Sequence, residues 1–159
     1  MNLPHNPHYL AEADLLHLVE KFEAQGKADW RLFLSYAEEC VIEPGDVVIR
    51  QFDSDRVVYV LTDGELEVSV APEPDAPSKP IATVKPVAVI GEQTFLDKQI
   101  RTATLSAKTQ ATVHRLTLNA FDRLRLEEPE IACAFLFDVA RSLSLRARPL
   151  QREVGSEGV

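Results

Sequence analysis

The feature that most constrains this chain is a succession of short β-branched runs between Val47 and Leu116, broken at close intervals by turn residues. Val47-Val48-Ile49 follows Pro44-Gly45-Asp46, where proline presets one turn position and glycine is free to take positive φ. Val57 to Leu61 is a second run, and Leu66, Val68 and Val70 alternate as a strand buried on one face. Asp63-Gly64 stands between them and predicts a hairpin. Ala71 to Pro80 holds Pro72, Pro74, Pro77 and Pro80 and reads as a loop, because proline lacks the N–H a ladder needs. Ile81–Val84, Val87–Ile90, Thr102–Ala107 and Ala111–Leu116 complete the set, with Lys108-Thr109-Gln110 between the last two. Many short strands at this spacing predict a sandwich or a small barrel.

Helices flank the strands. Leu15, Leu18, Val19 and Phe22 form one apolar stripe, and Trp30, Phe33, Leu34 and Ala37 repeat its spacing after Gly26. At the other end Thr117 is placed to cap a helix through Phe121 and Leu124. Pro129 opens a longer helix with Leu136, Val139, Leu143 and Arg146 along one side. The reading divides the chain into a helical segment 1–39, a β-roll with C-terminal helices 40–148, and a flexible tail 149–159.

At 159 residues, 45% hydrophobic and 26% charged, the chain fits one domain with an adequate core. A net charge of −8 argues against nucleic acid as a partner, so an anionic ligand needs a locally positive pocket. The two cysteines, Cys40 and Cys133, have no metal or redox spacing and read as reduced thiols. With no long apolar run and no signal-peptide pattern at Met1-Asn2-Leu3-Pro4-His5, the expectation is a cytoplasmic protein without a membrane span.

One stretch carries specific chemistry. Gly91-Glu92 opens a short helical turn, and Arg101, nine residues beyond Glu92, begins a strand. Arg101 supplies a guanidinium fork that matches phosphate oxygens and stays charged. Glu92 supplies two acceptors for sugar hydroxyls. The bland alternative is that the two charges bridge each other or are simply solvated. His5, His8, His17 and His114 are dispersed, and only His114 falls among the strands, where it reads as a surface residue. A metal site of the cupin kind needs closely spaced histidines with a carboxylate, so no metal is expected. No catalytic constellation can be drawn from spacing, and the chain is not expected to be an enzyme.

The order of helices, strands, Gly-Glu…Arg cassette and two closing helices resembles the cyclic nucleotide-binding domain family. That family includes regulatory subunits of cAMP-dependent kinase, cyclic-nucleotide-gated channels and the catabolite activator protein. The resemblance covers roughly residues 30–148, resting on the cassette, Pro44-Gly45-Asp46, Asp63-Gly64-Glu65-Leu66-Glu67-Val68 and Phe121–Arg146. It implies a mainly β fold with flanking α, a double-stranded β-helix (jelly-roll) barrel with N-terminal helices and two C-terminal helices. It further implies that Glu92 accepts from the ribose 2′-hydroxyl and that Arg101 pairs with the cyclic phosphate. Gly91 would admit the sugar closely, and backbone N–H groups near Thr94 and Thr102 would complete the cradle. Thr102 after the arginine matches members that prefer cGMP; its hydroxyl can accept from the guanine 2-amino group. The last helix, through Leu143, Leu145 or Arg146, would close over the base. Ile100 stands where the family often has proline, Val87 where it often has glycine, and Gln93-Thr94-Phe95 replaces a small apolar run.

The function implied is a stand-alone regulatory sensor that takes cAMP or cGMP, needs no other cofactor, and repositions its C-terminal helix. Only eleven residues follow Arg148, too few for a helix-turn-helix, so the signal is expected to pass to an effector protein in trans or through a homodimer. The alternative is a scaffold of the same fold that works without nucleotide. A metal-dependent barrel enzyme is the third reading.

Overall fold

The computed structural model describes residues 27–156. The stripe at Leu15, Leu18, Val19 and Phe22 therefore lies outside the described residues. The described chain begins with α1 (Lys27–Ser35) and runs through β1 (Glu38–Ile42), β2 (Val47–Ile49), β3 (Val57–Asp63), β4 (Leu66–Val70), β5 (Lys79–Val84) and β6 (Ala88–Ile90). A short helix, α2 (Glu92–Asp97), precedes β7 (Thr104–Ala107) and β8 (Ala111–Thr117). Two helices close the chain, α3 (Leu118–Glu127) and α4 (Pro129–Ser156).

The strands form two four-stranded antiparallel sheets, ordered β1-β8-β3-β6 and β2-β7-β4-β5. No ladder among the described residues joins the sheets, so the expected closed barrel is not seen. The fold is mainly β, with helices at both ends of the strand region.

The topology corrects the hairpin expected at Asp63-Gly64. β3 belongs to one sheet and β4 to the other, so the turn carries the chain across the sandwich. Gly64, at φ 78°, is needed there for a second reason: a Cβ would run into the Gln110 carbonyl and stand 2.6 Å from the Ala111 Cα. A strong local turn signal thus serves a crossing, because the partners of β3 and β4 are β8, β6, β7 and β5.

The expected loop Ala71–Pro80 ends early, since β5 starts at Lys79 and includes Pro80. β5 is the outermost strand of its sheet, where a missing N–H need not break a ladder. Glu38 already begins β1, inside the segment expected to be helical up to residue 39. β1 is also an edge strand, half exposed and acidic, so it carries no alternation to read. At the C-terminus α4 runs to Ser156, past the position where the tail was expected to start. The helix passes through Pro149 on the way.

Val57–Leu61 of β3 are buried without a break, so this strand is covered on both faces. The other sheet lies on one side; α2 packs on β3, and α3 packs on β8. Thr117 caps α3 as expected, its hydroxyl accepting from the Ala120 N–H at 3.2 Å. Phe33 of α1, Phe135 of α4, Phe121 of α3 and Phe95 of α2 form a continuous aromatic row. Successive ring centroids lie 4.9, 6.2 and 5.5 Å apart. Tyr36, just after α1, donates to Glu127 of α3 at 2.6 Å. His114, expected at the surface, is buried on β8, the strand between β1 and β3.

Candidate functional site

α2 has six residues, too few to hold together by its own hydrogen bonds. Its position comes from the groups gripping its ends. Gly91 precedes it at φ 78°, and Lys98 closes it at φ 63°, donating its N–H to the Thr94 carbonyl at 3.1 Å. Glu92, Thr94 and Phe95 are buried along it. Gln93 is half buried, and Leu96 is exposed.

Arg101 lies under the start of this helix and is 2% exposed. Its Nη1 donates to the Gly91 carbonyl at 2.8 Å, and Nη2 donates to the Val57 carbonyl at 2.7 Å. Asp55 takes the other side of the fork, its carboxylate accepting from Nε at 3.1 Å and from Nη2 at 2.7 Å. The backbone is fixed as well: Arg101 N–H donates to Asp53 O at 2.7 Å, and Phe52 N–H donates to Arg101 O at 3.0 Å. A guanidinium has five N–H groups, so four are used and one, on Nη1, is uncommitted among the described residues. The Arg101 guanidinium holds the Asp55 carboxyl below the usual carboxylate range, against a weaker opposing push from partial burial.

Gly91 is needed by this arrangement in its own right. A Cβ there would stand 2.5 Å from Arg101 Nη1, 3.0 Å from Ile49 Cδ1 and 3.2 Å from Val57 O. The glycine leaves room for the guanidinium, an effect separate from the approach of a sugar.

The structure thus brings Gly91, Glu92, Thr94 and Arg101 together around the start of α2. Thr102 differs: it is exposed, on the bend before β7, and not in a strand. Leu143 is half buried against the core, while the side chains of Leu145 and Arg146 lie outside the described residues. Asp55 and Arg56 were missed by sequence reasoning. They sit 46 and 45 positions before Arg101, in a polar loop ahead of β3, and no local spacing connects them to the cassette.

Among the described residues no group of three or more His, Cys, Asp or Glu side chains is placed to hold a metal ion. His114 Nε2 stands 3.8 Å from the Glu39 carboxylate, and burial pushes its pKa down. Among the described residues no helix is long and apolar enough to cross a membrane.

Comparison with known proteins gives this geometry a family. The cAMP-dependent protein kinase regulatory subunit of Yarrowia lipolytica is 36% identical over 84 residues, which span 53% of this chain and 21% of that protein. The Thermus thermophilus catabolite activator protein superposes with a TM-score of 0.69 at 21% identity, covering 85% of this chain and 62% of that one. The N-terminal domain of a transcriptional regulator from Streptomyces coelicolor gives a TM-score of 0.67 at 26% identity, covering 93% and 94%. The pattern of the cyclic nucleotide-binding domain matches residues 39–128, more than half of the sequence, and the chain belongs to that family.

Proposed function

We propose that this chain is a non-catalytic regulatory sensor that binds cAMP or cGMP at the cassette formed by Gly91, Glu92, Thr94, Arg101 and Thr102. The observation that carries the reading is the burial of Glu92 and Arg101 at the start of α2, with the Arg101 fork held on the Gly91 carbonyl, in a member of this family. In this reading the uncommitted Nη1 N–H of Arg101 meets one oxygen of the cyclic phosphate, and Glu92 accepts from the ribose. Asp55 and the Val57 carbonyl keep the fork aimed while that bond forms. The strand order fits a jelly roll, in which sheets of four face each other. The exposed Thr102 hydroxyl is free to meet the base and to favour cGMP.

Binding then shifts α4 only as far as the ligand prefers one arrangement over the other. The output passes to an effector protein in trans or to a second copy of the chain through α4, where Phe137 is 62% exposed. Sedimentation of the wild type and Phe137→Glu separates these routes, since a dimer through this face dissociates in the variant.

Calorimetric titration of nucleotide-stripped protein with cAMP and cGMP tests the proposal. Saturable one-site binding is expected, weakened about tenfold or more in Arg101→Lys, which keeps charge and loses the planar fork. No heat with either nucleotide at millimolar concentration contradicts it. The alternative, a nucleotide-independent scaffold, draws support from the four hydrogen bonds that already occupy Arg101. It predicts no saturable binding and unchanged partner binding in Arg101→Ala.

A further inference from the structure

The far end of α2 is held by a second arginine. Arg56, half buried, donates to the Phe95 carbonyl from both Nε at 3.0 Å and Nη2 at 2.7 Å. The near end is held by Arg101 on the Gly91 carbonyl, which also accepts the helical bond from the Phe95 N–H at 3.3 Å. The two gripped carbonyls are four residues apart, one helical turn. Carbonyls in the last turn of a helix lack intrahelical partners, and a cation placed on them is favourable. Both grips also trace to one dipeptide, since Asp55 grips Arg101 and the next residue grips Phe95.

We infer that Arg56 is a positioning residue for the ligand cassette: it fixes α2 from its C-terminal end so that Glu92 and the Gly91 backbone hold their place over Arg101. It touches no ligand and acts through the Phe95 backbone. The Phe95 ring lies edge-on to Phe121 at 5.5 Å, so its backbone is gripped from the β2–β3 loop and its side chain packs on α3. Without the guanidinium, α2 keeps its apolar packing but loses the bond that sets its position along β3. The consequence for ligand affinity rests on the proposed nucleotide site; the consequence for α2 does not.

The test uses Arg56→Met, which keeps an apolar stem, and Arg56→Lys, which restores one charged donor. Amide hydrogen exchange in the nucleotide-free protein is the first readout. Exchange at Phe95 and Lys98 should quicken by about tenfold or more in Arg56→Met, the scale of a lost charged hydrogen bond, and Arg56→Lys should recover part of it. Amides of the central strands β3 and β8 should keep their wild-type protection. Acceleration spread evenly over the chain, or none at α2, overturns the inference. Calorimetry with cAMP and cGMP is the second readout. Where the wild type binds, Arg56→Met should raise Kd by about the same factor as the exchange change, and an unchanged Kd overturns the positioning role. Where the wild type binds neither nucleotide, the proposed function fails and the exchange result alone decides the grip on α2.

Discussion

Single residues at this site are chosen by crowding and charge together. Gly91→Ala must hold an L side chain at φ 78° and press its Cβ against Arg101 Nη1 at 2.5 Å. The expected cost is about 2 kcal/mol, the range of one strained non-glycine residue, read as a lower urea midpoint. Asp55→Asn leaves the Arg101 guanidinium buried without its counter-charge. Loss of a partner from a fully buried pair costs about 3–5 kcal/mol. Asp55 is 47% exposed, so water screens much of its charge and about 1–2 kcal/mol is expected. Acid titration separates this pair from His114. Burial lowers the folded His114 value, so the unfolded chain takes the proton more readily; stability is full above about pH 6.5 and falls as pH drops below it. Asp55 is lowered by Arg101, so its contribution is full above about pH 4 and is lost as pH falls through the folded value. Urea midpoints measured against pH should therefore fall in two windows. His114→Gln should flatten the upper one and Asp55→Asn the lower.

Elements were legible in the sequence where local chemistry determines them. Thr117 was identified as a cap because its side chain serves a neighbour three residues away, and Thr117→Ala should cost about 1 kcal/mol by denaturant unfolding. Pro129 and Val57–Leu61 were equally plain, but the alternation expected of β4 holds only for Leu66 and Val68: Ser69 is buried and Val70 half buried, because the register shifts between Val68 and Ser69. The crossing at Gly64 was not legible, because a turn that joins paired strands and one that joins opposite sheets use the same residues. Gly64→Ala distinguishes these roles. A hairpin would lose only the preference for positive φ, whereas the observed packing against Gln110 and Ala111 predicts a larger loss, about 3 kcal/mol. In the cassette, the meeting of Gly91 and Arg101 was readable from the sequence. Asp55 and Arg56 were not, because their link to the cassette exists only after β3 has packed beneath α2.

Across the whole molecule, the aromatic row gives the cassette a physical route to the long terminal helix. Phe95 belongs to α2, Phe121 to α3, Phe135 to α4 and Phe33 to α1, and all four are buried. Phe121→Ala removes the middle of the row and should destabilise the fold by about 3–4 kcal/mol. In protein that remains folded, nucleotide should still bind within a few-fold of wild type, while its effect on α4 amide exchange is lost. An unchanged exchange response in α4 would place the coupling elsewhere. The central claim, that Arg101 meets the cyclic phosphate while still held by Asp55, is tested most directly by its own side-chain nitrogens. In arginine-labelled protein, with the resonances assigned through Arg101→Lys, cAMP or cGMP should shift the Arg101 Nη1 signal most and leave Nε in its Asp55-bonded position. Saturation with either nucleotide and no change at Nη1 would contradict the account.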